Sequence, residues 1–212
     1  MSAVARTLLG LALALLVGVG SAGAQQDSAG PSDQTQALPP AGYGTLRQSD
    51  ATLRIDTETH LIQIVPLDEG VIRLLANDTY ASLHRLRESK AQEIAEAASR
   101  WGIREPTLFL VTFFGRQAQA RFFPEILRVT SQNRLFRPVE IFPLSPLWSG
   151  QQLNQRETAR AIYLYEDGIR LANEMIVSYD RFSTDAWALI VRVLDAERGA
   201  VLARAARNQG MR

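Results

Sequence analysis

Cysteine is absent from the chain, lysine occurs once, at Lys90, and histidine twice, at His60 and His84. Without a thiol there is no disulfide framework, no cysteine-ligated zinc, no thiol nucleophile and no lipid-modified N-terminal cysteine. The stability of the folded part must therefore come from a packed core. His60 sits beside a turn signal and His84 shares a helical stretch with Arg85 and Arg87, so neither has a partner at ligand spacing and no histidine metal site is expected. A serine, histidine and acid triad would have to recruit one of the same two residues, and no Gly-x-Ser-x-Gly elbow is present. There is also no glycine-rich phosphate loop: Gly18, Gly20 and Gly23 fall near the N-terminus and the other glycines are scattered among turns. No cofactor is expected.

An excess of charge is missing as well. Lysine and arginine number 23 against 22 acidic residues. Such a balance carries no electrostatic footprint for nucleic acid or for an anionic membrane surface. The near-exclusive use of arginine over lysine is read as the mark of a GC-rich bacterial genome.

What is present at the N-terminus has the anatomy of a secretory signal. Arg6 supplies the positive charge, residues 8–19 the apolar run, and Ala22-Gly23-Ala24 the small-residue cleavage site. The apolar run is short for a membrane span of about 20 residues, so residues 1–24 are expected to be a cleaved signal peptide and the mature chain to be soluble in the periplasm or secreted. Its charge is then formally neutral, because Arg6 is the only ionisable side chain removed. Residues 25–42 are Gln, Ser, Asp, Ala, Gly and Pro with almost no large apolar side chain, the composition of a disordered linker.

Beyond it, residues 43–103 read as a β-hairpin plus a helix. Leu53 and Ile55 share one side of the segment 51–56, and Ile62 and Ile64 one side of 60–65, with Thr57-Glu58-Thr59 as the turn. A brief helical turn is possible over 69–75. A longer helix is predicted from an Asp78 N-cap to Trp101, stopped by Gly102, with Trp101 as its terminal anchor. Residues 104–182 carry the core. The run 107–114, Thr-Leu-Phe-Leu-Val-Thr-Phe-Phe, places β-branched and aromatic residues at odd and even positions alike, so a strand made from it is apolar on both faces and belongs in the middle of the fold.

Short strand signals follow at 118–123, 126–130 and 138–142. A proline-stiffened loop over 143–150 then leads to strands at 158–165 and 169–179, whose connecting Glu166-Asp167-Gly168 is the strongest hairpin signal in the chain. Residues 183–212 form a C-terminal helix and tail: Trp187, Ile190, Val191, Leu194, Val201, Leu202 and Ala205 fit a period of 3.6, although 187–193 could alternatively be a strand and Gly199 weakens the middle. The predicted fold class is α+β, an antiparallel β-sandwich of about seven strands with a helix before it and a C-terminal helix packed on it. Its proline and glycine punctuation resembles that of immunoglobulin-like sandwiches in general architecture, while no family motif is matched residue by residue.

Two constellations could carry function. Glu157, Glu166, Asp167 and Glu174 are the carboxylates a hydrolase or carbohydrate-active protein would need to bring to about 5–9 Å of one another. The other is aromatic residues and one leucine mixed with arginine, namely Phe122, Phe123, Phe136, Phe142, Leu147 and Trp148 with Arg116, Arg121, Arg134 and Arg137; aromatics and arginine are the residue types that dominate protein–protein hot spots. Within it Arg137, Phe142, Leu147 and Trp148 are taken as an interaction rim, because Trp148 follows the stiff loop at a position where a buried strand residue is not expected; Trp187 and Trp101 are taken as core anchors. Nothing in the chain specifies an activity. The expectation is an exported, non-catalytic bacterial envelope protein that binds another envelope protein. The alternatives are a carboxylate-dependent hydrolase and a carrier of a small apolar ligand.

Overall fold

A computed structural model describes residues 37–209; the signal peptide and most of the linker read from the sequence lie outside the described residues. The protein is a mixed α/β structure of antiparallel sheets closed by a C-terminal helix. Its strands are β1 (Leu53–Asp56), β2 (His60–Pro66), β3 (Thr107–Gly115), β4 (Ala120–Arg121), β5 (Leu127–Ser131), β6 (Arg134–Phe136), β7 (Pro138–Pro143), β8 (Gln152–Leu153), β9 (Thr158–Tyr165), β10 (Met175–Tyr179) and β11 (Phe182–Thr184). The helices are α1 (Glu69–Ile72), α2 (Asn77–Glu88), α3 (Ala91–Trp101) and α4 (Trp187–Gln209). A five-stranded sheet runs in the order β1-β2-β3-β9-β7, a four-stranded one in the order β11-β10-β5-β6, and β4 pairs with β8.

The apolar run is the middle strand of the larger sheet, as its composition predicts. On one face Phe109, Val111 and Phe113 stand opposite Pro66, Ile64 and Ile62 of β2 and Tyr163, Ala161 and Ala159 of β9. This face meets the smaller sheet: Phe113 makes an edge contact with Tyr179 of β10 at 5.6 Å between ring centroids. The Tyr163 and Tyr165 hydroxyls donate to the carbonyls of Pro124 and Leu127 at 3.1 and 3.4 Å, satisfying polar groups that burial would otherwise penalise. On the opposite face cover is partial. Leu108 and Leu110 are buried in one apolar cluster with Leu83, Ile94 and Ala97 of α2 and α3, whereas Thr112 and Phe114 are only half-buried.

The hairpin of β1 and β2 forms as expected, pairing Leu53 with Ile64 and Ile55 with Ile62. The single helix predicted from Asp78 is instead two. Ala76 occupies the cap position of α2. The chain then breaks at Ser89 and Lys90, where the Ser89 hydroxyl donates to the Leu86 carbonyl at 2.7 Å and so competes with the helical ladder. Gly102 ends α3 in the left-handed conformation, φ +68°, as a C-terminal glycine should. Trp101, however, is 56 % exposed and anchors nothing.

The Asp167-Gly168 turn does not close the hairpin predicted for it. Strand β9 pairs with β3 and β7, and β10 with β5 and β11, so the two segments predicted to form a hairpin lie in different sheets. The Asp167 carboxylate is used otherwise, accepting the backbone N–H groups of Arg104 and Glu105 at 3.2 and 2.8 Å and tying the chain ahead of β3 to the end of β9. Gly168 has φ +117° and lies against Arg134 and Phe136, so its turn serves the passage between sheets. The chain crosses a second time at Arg137, the only residue between β6 of one sheet and β7 of the other.

Residues 187–193 are helical, and the strand alternative is overturned. Trp187, Leu194, Val201 and Ala205 form the buried stripe of α4, and the Trp187 indole N–H donates to the Leu171 carbonyl at 3.0 Å. Opposite Gly199 there is open space, so the glycine faces outward and α4 passes through it. The N-terminal segment docks earlier than Tyr43: Pro39 is buried and its carbonyl accepts from Arg73 at 3.3 Å. Gly44 follows because a Cβ there would meet the Leu74 and Leu75 backbone at 2.3–2.4 Å. Among the described residues no helix is long and apolar enough to cross a membrane.

Candidate functional site

The predicted rim does not assemble. Trp148 closes a 3-10 turn over Pro146–Trp148, but its side chain is only 6 % exposed and packs against Phe113, Phe122 and Tyr163 with ring centroids 5.3–6.0 Å apart. The physical reason is the turn itself, which directs the indole inward onto the aromatic side chains of β3 and β9. Phe142 is also buried, since β7 directs it beneath the helices. Arg137 and Leu147 remain exposed, yet they stand beyond opposite ends of β7.

The carboxylates named from the sequence are dispersed into local roles. Glu157 accepts the Asn154 N–H at 2.7 Å, Glu166 faces Arg134 at 3.9 Å, Asp167 holds residues 104 and 105, and Glu174 is exposed. His84 belongs to a different cluster: its Nδ1 lies 2.8 Å from Glu69, which also accepts from Arg73 at 2.6 Å. Burial pushes the Glu69 carboxyl upward, but those two hydrogen bonds together outweigh it and hold the group below its ordinary value. Among the described residues no three His, Asp or Glu side chains converge as a metal site would require.

Side chains do converge at one end of the molecule, where three connections meet. They are the β1–β2 turn with Thr57, Glu58 and Thr59, the β10–β11 turn with Asp180 and Arg181, and the segment from Arg121 through Phe123 to Ile126. Together with His60, Tyr179 and Phe182 they line an open cleft of about 340 Å³. The local sequence explains the position of each. Phe122 turns inward and is fully buried against Phe113, 4.6 Å between centroids, so its neighbour Phe123 turns outward and is 52 % exposed. Two-residue Asp180-Arg181 joins β10 to β11 with Asp180 at φ +53°, and this brings the Arg181 guanidinium over the Phe182 ring at 5.1 Å and onto Glu58 across the cleft mouth.

Matched against known proteins, the chain stands apart. No family model, no curated protein and no solved structure matches it. Function must therefore be read from the site.

His60 forms part of the cleft wall. Its Nε2 is 3.3 Å from the Ala120 carbonyl, which can only accept, so that nitrogen carries the hydrogen; Nδ1, 2.8 Å from the Thr59 hydroxyl, is then the acceptor. Both ring nitrogens are thereby occupied. Burial lowers the His60 pKa, and the hydrogen bond to Ala120 offsets this only in part. The Tyr179 hydroxyl accepts the Phe123 N–H at 2.8 Å, and burial raises its pKa, so it stays a phenol with a proton to donate. Arg121 is exposed and forms no ion pair among the described residues.

Sequence reasoning included Phe123 and Arg121 in its aromatic and arginine set but passed over Glu58, Tyr179, Asp180 and Arg181. The strand predicted over 169–179 stops at Tyr179, and the Asp180-Arg181 turn that follows it, which pairs Tyr179 with Phe182, carries no reading in the sequence analysis.

Proposed function

We propose that this is an exported, non-catalytic envelope protein that binds another protein, and that the cleft at Phe123 is where the partner seats. The observation that carries the reading is an exposed aromatic side chain held by a backbone hydrogen bond between two arginines, Arg121 and Arg181. Aromatic side chains, phenylalanine among them, and arginine are the residue types enriched at protein–protein interfaces. Support for holding rather than turnover comes from the polar groups. Glu58 is paired with Arg181, and both His60 nitrogens are occupied within the fold. The cleft is open and lies at strand turns, unlike the enclosed cavity between helix and sheet that a carrier of a small apolar ligand needs.

With this reading go two structural inferences. The larger and smaller sheets are taken to be the halves of a sandwich, on the strength of the aromatic contacts between their facing sides. Residues 1–24 are taken to direct export and to be removed after Ala24, leaving Gln25 as the first residue; Edman sequencing of the protein recovered from periplasm would return Gln-Gln-Asp.

A photoreactive benzoylphenylalanine at position 123 tests the function directly. Irradiating intact cells should give one discrete adduct at position 123 and none at Leu135, an equally exposed apolar side chain on the outer side of β6. No adduct at either position, or the same adduct at both, overturns the assignment.

A further inference from the structure

The inference below rests on the cleft reading and names the chemistry of what enters. Donors dominate the lining once the Glu58–Arg181 pair is formed. Arg121 offers its whole guanidinium, and Tyr179 has an O–H left after accepting from Phe123. Asp180 is the acceptor left on the other side. The occupant should thus bring an acceptor, and a flat, bidentate one suits arginine best.

Charge limits that acceptor further. Arg121 and Arg181 stand against Glu58 and Asp180, and the Glu125 carboxylate is close enough to act on the Tyr179 hydroxyl, so the cleft carries no positive excess and exerts no long-range pull on an anion. A multiply charged group such as a phosphate gains nothing from such a field, whereas a single carboxylate can be held by short-range contact. Beside the donors, Phe123, Ile126 and Phe182 supply an apolar shelf. Finally, the rim is open: Phe123, Glu58 and Arg181 are all exposed. Sites for small molecules bury about 70–90 % of their ligand. An open shelf does that only when the occupant carries its own cover, as a protein chain does.

We propose that the cleft recognises the carboxylate end of a partner polypeptide with an apolar last side chain, the carboxylate seated on Arg121 and the Tyr179 hydroxyl and the side chain on Phe123 and Phe182. Glu58 competes with that carboxylate for Arg181.

The test is an amide NMR titration of the purified protein with N-acetyl-Ala-Ala-Phe as free acid, as C-terminal amide, and with octanoate. The acid should shift the Phe123 and Asp180 amides and bind about fivefold tighter than the amide form, the size of one charge-assisted contact. Arg121→Gln should remove that preference, Phe123→Ala should weaken both peptides alike, and Glu58→Gln should tighten the acid by about threefold by freeing Arg181. All three positions are exposed, so the variants retain the fold. Equal binding of acid and amide to the unaltered protein, with both lost in Phe123→Ala, overturns the carboxylate assignment and leaves the cleft reading standing. Octanoate binding at least as tightly as the acid peptide reassigns the cleft to small carboxylates. No shift at cleft amides with either peptide, together with no photoadduct at position 123, removes both.

Discussion

The hydroxyl of Tyr179, at the end of β10, accepts the backbone N–H of Phe123 from 56 residues earlier in the chain, at 2.8 Å. One side chain of the smaller sheet thereby sets the backbone of Phe123, the most exposed aromatic residue lining the cleft. Tyr179→Phe leaves a half-buried N–H without its acceptor, and the cost should be about 1–3 kcal/mol. Urea unfolding measures it. Peptide binding at the cleft should weaken in the same variant, because the Phe123 segment loosens and because the hydroxyl proposed to seat the carboxylate is gone.

Trp148 separates the rim expected from the sequence from the core found in the structure. Its indole fills the space among Phe113, Phe122 and Tyr163. Trp148→Ala should cost about 3–5 kcal/mol of stability, the range for a buried large aromatic truncated to a methyl. A variant that unfolds at the same urea concentration as the parent would show the indole to be on the surface after all.

His60 predicts how stability varies toward mild acid. Its folded pKa lies below the 6.5 of the free side chain because burial disfavours the imidazolium. Above pH 6.5 both folded and unfolded states hold it neutral and its contribution is complete. As pH falls from 6.5 through the lowered folded value, the unfolded chain takes up the proton first and stability declines. The unfolding midpoint in urea, followed from pH 7.5 to 5, should fall, and His60→Gln should flatten that decline.

A second decline belongs to Glu69. The hydrogen bonds from Arg73 and His84 hold its folded pKa below 4.5 against the upward push of burial. Its contribution is present above pH 4.5 and is lost as pH falls through that lowered value. Glu69→Gln should remove this lower step and leave the one from His60 in place, which separates the two groups in a single pH series.

The central strand, the first hairpin and the C-terminal helix were legible because each depends on local pattern. Thr107–Gly115 is apolar at both parities, Leu53 and Ile55 alternate, and Trp187, Leu194 and Val201 recur at helical spacing. Two features of the fold were not legible, and each has a physical cause. The Asp-Gly turn is locally competent to close a hairpin, yet the strands it joins are recruited by different neighbours: β9 by β3 and β7, β10 by β5 and β11. A local turn preference of that size yields to two full ladders of backbone hydrogen bonds. The split between α2 and α3 falls at Ser89 and Lys90, where the Ser89 hydroxyl takes the Leu86 carbonyl, a local competition with the helical ladder that the apolar period does not register.

By itself the amino-acid order determined which segments could form strands and helices, and that no disulfide could help hold them together. Tertiary structure alone decided which of the phenylalanines and tryptophans face water. Neighbouring Phe122 and Phe123 have the same chemistry, and so do Trp148 and Trp101; their opposite fates follow from which face of a ribbon, turn or helix end packs against the core. The cleft was beyond sequence reading for the same reason. Glu58 and Arg181 are 123 residues apart, and only the docking of β1 beside β11 makes them neighbours.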